Sequence, residues 1–135
     1  MPVSEMRDND LARRYPNLPL EEQLIQGAID VYEQKQWARG GWSMNGGEEV
    51  CILESINVAR YGKGKSSDRG VPKAVLQRIH RAIWPERDTE RYDKARLSSD
   101  IIRWNDTQDR TAPKKTVVSV LKKALALGRE EKGAS

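Results

Sequence analysis

Residues 98–128 read S-S-D-I-I-R-W-N-D-T-Q-D-R-T-A-P-K-K-T-V-V-S-V-L-K-K-A-L-A-L-G, and the spacing predicts a short helix, a polar turn and a long amphipathic helix. Ser98 or Ser99 suits an N-cap, with Asp100 favourable against the dipole of a first turn. Ile101, Ile102 and Trp104 supply apolar mass. Asn105 and Asp106 suit a helix end, because their side chains compete for backbone hydrogen bonds. Thr111 suits the next N-cap, and Pro113 is tolerated in a first turn, where its missing N–H has no partner to lose. Val117, Val120, Leu121, Ala124 and Leu125 then recur at helical spacing. Lys115, Ser119, Lys122 and Arg129 fall on the opposite side, and Gly128 is placed to end the helix.

The polar turn formed by Trp104, Asn105, Asp106, Arg110 and Thr111 has two readings. The first is a structural brace, with Asp106 and Arg110 paired across it and Asn105 bonding free N–H groups of the following helix. The second is a small polar pocket for a ligand. The brace is the commoner outcome for a capping turn.

W-N-D, three residues, R-T and then V-x-x-L-x-x-A resembles the C-terminal signature of a family of small uncharacterised proteins from actinobacteria and their phages. Gly41-Trp42, Asn45-Gly46-Gly47 and Cys51 have counterparts in that family, and the likeness spans roughly Leu20 to Gly128. Two departures stand out. Lys114 and Lys115 occupy the place where the family carries a Glu that completes a capping box. Glu54-Ser55-Ile56 replaces a small Gly-Ala-Leu step. The resemblance implies a fold and a phage origin, and no reaction.

At 135 residues the chain is one domain on length alone. A third of it is charged, mean hydropathy is −0.79, and there is no Phe, so Trp and the aliphatic residues must fill the interior. No run approaches the roughly 18 apolar residues of a membrane helix, and Met1–Asp10 lacks the apolar core of a signal peptide. One Cys excludes an internal disulfide, and one Cys with one His cannot close a structural zinc site. The expectation is a cytoplasmic chain with no cofactor, no metal and no membrane partner.

In chain order, residues 1–17 read as a tail that is loose unless docked. Leu20, Leu24, Ala28, Val31 and Tyr32 give a helical stripe running to about Gln36, with Glu21 and Glu22 in its first turn. Trp42-Ser43-Met44 and Glu48-Glu49-Val50 suit the arms of a small β-hairpin around Asn45-Gly46-Gly47. Trp37 and Trp42 cover the core edge or form a binding surface. A helix from about Val50 to Tyr61 buries Ile52, Ile56 and Ala59. Cys51 near its start reads as a buried inert thiol rather than an activated one. Residues 61–70 form a basic Gly-rich loop without the spacing of a phosphate-binding loop. Val71–Trp84 gives a helix opened by Pro72. Val75, Ile79, Ala82 and Ile83 face inward, and Lys73, Gln77, His80, Arg81 and Trp84 lie opposite. Glu86–Arg96 is a mixed charge run. The whole implies a mainly α fold, a compact bundle of four to five helices with a small β-hairpin over residues 18–128, and a frayed end at 129–135.

Three functions follow for weighing. Enzyme chemistry is weakest, because Cys51 and His80, the only nucleophile pair, sit on different helices without an orienting group. Nucleic-acid binding draws on residues 60–96, where eleven Lys or Arg stand against five Asp or Glu. Its contacts would come from Lys63, Lys65, Arg69, Lys73 and Arg81. The leading reading is a small protein-interaction or regulatory module, with Trp42, Trp84 and Arg81 as anchors for a protein partner. A homodimer through an apolar helix face is the remaining partner option.

Overall fold

The computed structural model describes residues 8–39, 49–61, 71–110 and 112–134. Among them, six α-helices and one two-stranded sheet follow in order: α1 Asp8–Arg14, α2 Leu20–Val31, β1 Gln36–Trp37, β2 Glu49–Val50, α3 Ile52–Tyr61, α4 Lys73–Ile83, α5 Lys94–Asp106 and α6 Pro113–Ala134. A 3₁₀ turn, Thr107–Arg110, joins α5 to α6. The fold is a mainly α bundle with a small β element.

α2 is the hub. It packs most extensively on α3, and it also touches α1, α4 and α6. Leu24, Ile25, Ala28 and Val31 are buried along it. Gly27 sets the approach of α2 to α3: a Cβ there would lie 2.8 Å from the Ala59 Cβ and 2.8 Å from a Leu11 methyl. That spacing is far inside van der Waals contact, so the helix pair closes only around glycine. α3 is buried on every side from Cys51 to Ala59, including Glu54, Ser55 and Asn57. A stripe of Ile52, Ile56 and Ala59 describes only part of that helix. α6 completes the core with Val117, Leu121, Ala124 and Leu125, as the helical spacing predicts.

Several expectations are corrected. In the stretch 1–17, expected to be loose unless docked, residues 8–14 form α1, which is docked, with Leu11 fully buried against α2 and α3. Arg14 pairs with Asp30 at 2.6 Å, Tyr15 hydroxyl donates to the same carboxylate, and Gln23 Nε2 donates to the carbonyls of Tyr15 and Leu18. The α1–α2 corner is therefore cross-braced. α2 ends at Val31 rather than near Gln36, and Leu20 at its start is exposed. α5 begins at Lys94, with the Asp93 carboxylate accepting the Arg96 N–H at 2.8 Å. Ser98, proposed as the cap, is buried inside the helix. A serine can lie inside a helix when packing outweighs its local alternatives, and the capping signal at Asp93 is stronger. α6 continues past Gly128 to Ala134.

The small sheet also differs in its pairing. Gln36–Trp37 pairs with Glu49–Val50 in parallel, Gln36 opposite Glu49 and Trp37 opposite Val50. Parallel strands require a crossover connection rather than a tight turn, so the partner of Glu49–Val50 is β1. The Asn45-Gly46-Gly47 turn lies outside the described residues.

Candidate functional site

Asn105 is the polar centre of the fold, and it is fully buried. Its Oδ1 accepts the Trp37 indole N–H at 3.0 Å and the Ile52 backbone N–H at 3.1 Å. Its Nδ2 donates to the Ala38 carbonyl at 3.1 Å and to Asp106 Oδ1 at 3.2 Å. Two acceptor sites and two donor sites are thus all used. Asn105 braces neighbouring elements, through partners other than the α6 N–H groups expected of it. Asn105 ties α5 to the chain after β1 and to the start of α3. It does not serve α6. Trp104 is half-buried, and its carbonyl accepts from Thr107 Oγ1 and Gln108 Nε2. The side chains of Arg110 and Thr111 lie outside the described residues.

Because Asn105 holds its indole N–H, Trp37 has a fixed orientation. Its ring forms part of an open groove of about 810 Å³ between α2, β1 and the first turns of α6. Ile29, Trp37, Pro113 and Val118 give the groove apolar surface, and Tyr32 lies beneath. Tyr32 hydroxyl donates to the Val50 carbonyl at 2.8 Å, which locks the end of α2 to β2. Along the α6 wall stand Lys114, Lys115 and Lys122, and opposite them Glu33 stands just past the end of α2. The volume lies in the ~300–1,000 Å³ range of ligand sites.

A second cluster lies where α4 meets α5. His80 is fully buried rather than exposed on a basic face, and its Nε2 lies 2.9 Å from Asp100 Oδ2. Its ring packs on Trp84, with centroids 4.5 Å apart, and meets Tyr92 edge-on at 5.6 Å. Arg87 covers the Trp84 ring and Arg96 covers the Tyr92 ring. Burial raises the Asp100 carboxyl, but the His80 hydrogen bond and the Arg96 guanidinium outweigh it and hold the group below its ordinary value. Of the expected anchors, Trp84 belongs to this cluster and Arg81 is exposed on α4; neither lines the groove. Trp42, the third, lies outside the described residues.

Two cations counted in the basic segment serve internal contacts. Arg78 donates to the Ala124 and Leu125 carbonyls of α6 and faces buried Glu22 at 3.9 Å. Arg96 faces Asp100. Lys73 and Arg81 are exposed on α4, while Lys63, Lys65 and Arg69 lie outside the described residues.

Cys51 is buried, and its sulfur accepts the Glu54 N–H at 3.4 Å at the start of α3. Burial pushes the thiol from 9.0 up to about 12, as expected of an inert thiol. Burial likewise raises the Glu54 carboxyl. Cys51 and His80 are engaged with different partners. Among the described residues no group of three His, Cys, Asp or Glu could hold a metal ion, and no helix is long and apolar enough to cross a membrane.

Sequence reasoning missed the groove. Trp37 reads from the sequence as an edge cover or part of a binding surface, but nothing there pairs it with α6, and Glu33 carries no signal. One signal pointed there: the Lys114-Lys115 pair, standing where the resembled signature has Glu. No curated protein and no solved structure matches the chain. A family model matches residues 18–127, from before α2 into α6, a span that contains the Asn105 brace and every residue lining the groove. The chain belongs to this family, described as a family of unknown function, DUF6197.

Proposed function

We propose that this protein is a small interaction module that binds a segment of a partner protein in the groove between α2, β1 and α6. The observation that carries the reading is the groove itself. It is open, it has an apolar floor, and its aromatic residue is fixed in place by a buried amide. A preoriented aromatic beside aliphatic side chains is the usual composition of an anchor site, because less freedom is lost on binding. The resemblance of the W-N-D signature to actinobacterial and phage chains supports a phage-encoded setting and a host protein as the partner. The buried free thiol of Cys51 suits a reducing cytoplasm.

The alternative, nucleic-acid binding through residues 60–96, is weakened by the internal engagement of Arg78 and Arg96.

Selection from a displayed library of random heptapeptides tests the proposal. The wild-type chain should enrich a consensus that is lost on Val118→Trp, which fills the groove from a half-buried position without adding charge. No enrichment, or enrichment indifferent to Val118→Trp, would overturn it.

A further inference from the structure

The charges around the groove are unequal. Lys114, Lys115 and Lys122 line one wall, and none of them has an ion pair or side-chain hydrogen bond with another described residue. Across from them, the described residues of the lining offer one carboxylate, that of Glu33. This differs from Arg78, which faces Glu22 of α2, and Arg96, which faces Asp100 within α5. Three ammonium groups with no acidic partner among the described residues, beside an apolar floor, are a surface complementary to an amphiphilic anion.

Length narrows the class. Lys114 and Lys122 are eight residues apart on α6, about 12 Å at 1.5 Å per residue. On the facing side Gln26 and Ile29 of α2 line the groove, and Tyr32, Glu33 and Gln36 continue the lining past the end of that helix. An extended chain rises about 3.3 Å per residue, so four to five residues fill this length. In such a chain alternate side chains point to opposite faces, and positions i and i+4 lie about 13 Å apart on one face. Acidic residues at i and i+4 would therefore meet the Lys114–Lys115 end and the Lys122 end of the wall, with a third at i+2 between them, while apolar residues at i+1 and i+3 enter the floor of Ile29, Trp37 and Val118.

We infer that the groove takes a short extended segment of a partner protein in which acidic and apolar residues alternate. This rests on the interaction reading above and names the chemistry of its partner. Long lysine stems let the ammonium groups reach acids held above the apolar floor. The ion pairs are solvent-exposed, so they steer and select, and binding weakens as salt rises.

The test uses three synthetic peptides on the full chain: Gly-Glu-Leu-Glu-Val-Glu-Gly, the same peptide with Lys for Glu, and the same with Ser for Glu. Binding is read from the Trp37 indole N–H resonance. The acidic peptide should bind more tightly than the Ser peptide, and the Lys peptide should not bind. Reversing Lys115 and Lys122 to Glu should weaken the acidic peptide about 10-fold or more and leave the Ser peptide unchanged. Equal binding of acidic and Ser peptides, or indifference to the charge reversal, overturns the acidic assignment. If Val118→Trp still abolishes Ser-peptide binding in that case, the groove reading stands alone. If no peptide binds and the random library enriches nothing, both fall. Displacement of the acidic peptide by an equimolar ten-nucleotide single-stranded DNA would also overturn the inference and assign the lysines to nucleic acid.

Discussion

The side-chain oxygen of Asn105 accepts the backbone N–H of Ile52 at 3.1 Å, across 53 residues of chain. Ile52 opens α3, and the first N–H groups of a helix have no partner within it. A neighbouring Ser, Thr, Asp or Asn usually supplies the missing acceptor. Here Cys51 contributes its sulfur to the Glu54 N–H, and a residue from the end of α5 supplies the acceptor for Ile52. The same oxygen holds the Trp37 indole. One amide thus closes the start of the most buried helix and sets the aromatic of the groove.

Asn105→Ala should therefore destabilise the fold and disturb the groove together. The substitution leaves the Ile52 N–H, the Trp37 N–H and the Ala38 carbonyl without this partner. At ~1–3 kcal/mol per buried group left unsatisfied, a loss of about 3–5 kcal/mol is expected. Urea unfolding would measure it, and the Trp37 indole resonance should move. Asn105→Asp keeps the acceptor, loses the donation to Ala38 and places a second carboxylate beside Asp106, so it should also destabilise.

Gly27→Ala offers a test of sign. In an open helix this change gains about 1 kcal/mol from propensity. Here the new methyl meets the Ala59 Cβ at 2.8 Å, and overpacking of this kind costs ~1–3 kcal/mol. The net result should be a lower thermal midpoint. Pairing it with Ala59→Gly should recover part of the loss, because the double variant removes the Cβ–Cβ clash. Equal stability of Gly27→Ala and wild type would mean that α2 and α3 are free to separate.

The elements most legible in the sequence are those whose packing follows local periodicity. The stripe Val117, Leu121, Ala124 and Leu125 of α6 is one example, and Val75 and Ile79 of α4 are another. His80 was placed on the wrong face because its burial depends on Asp100, twenty residues later. A polar side chain enters a core when a partner waits there, and spacing does not reveal the partner. Glu22 sits in the first turn of α2 as expected, but its burial likewise depends on a distant partner, Arg78 of α4. The groove was illegible for a related reason. It is formed where residues from α2, β1 and α6 converge, and no single stretch carries its signature.

The His80–Asp100 pair should give an acid-sensitive contribution to stability. The Asp100 carboxyl is held below its ordinary value in the folded chain. The contribution is therefore present above the usual carboxylate range of about 3.9 and is lost as pH falls through the lower folded value. Asp100→Ala should remove it and leave the buried His80 Nε2 without its acceptor, at about 1–3 kcal/mol. Asp100→Asn keeps an acceptor and should cost less at neutral pH. In both variants the stability lost between neutral pH and pH 3 should be smaller than in wild type. An unaltered acid profile in Asp100→Asn would show that other carboxylates dominate.

At the alkaline end the sign reverses, and Cys51 is the residue to follow. Its thiol titrates near 9.0 when unburied and at about 12 in the fold. The folded chain therefore holds the proton between these values while the unfolded chain releases it. Stability is fully present below pH 9 and falls above it, at about 1.4 kcal/mol per pH unit for this one group. Tyr32, whose burial raises its phenol well above 10.0, adds to the same trend at higher pH. Cys51→Ala removes the thiol contribution, so its stability should decline less between pH 9 and 10 than that of wild type, even though losing the sulfur that accepts from Glu54 lowers its neutral stability. Native Cys51 should also react with a thiol reagent only as fast as the chain opens, and urea should accelerate the reaction. Rapid modification at neutral pH without denaturant would mean that α3 opens locally and that the thiol is far less protected than its burial implies.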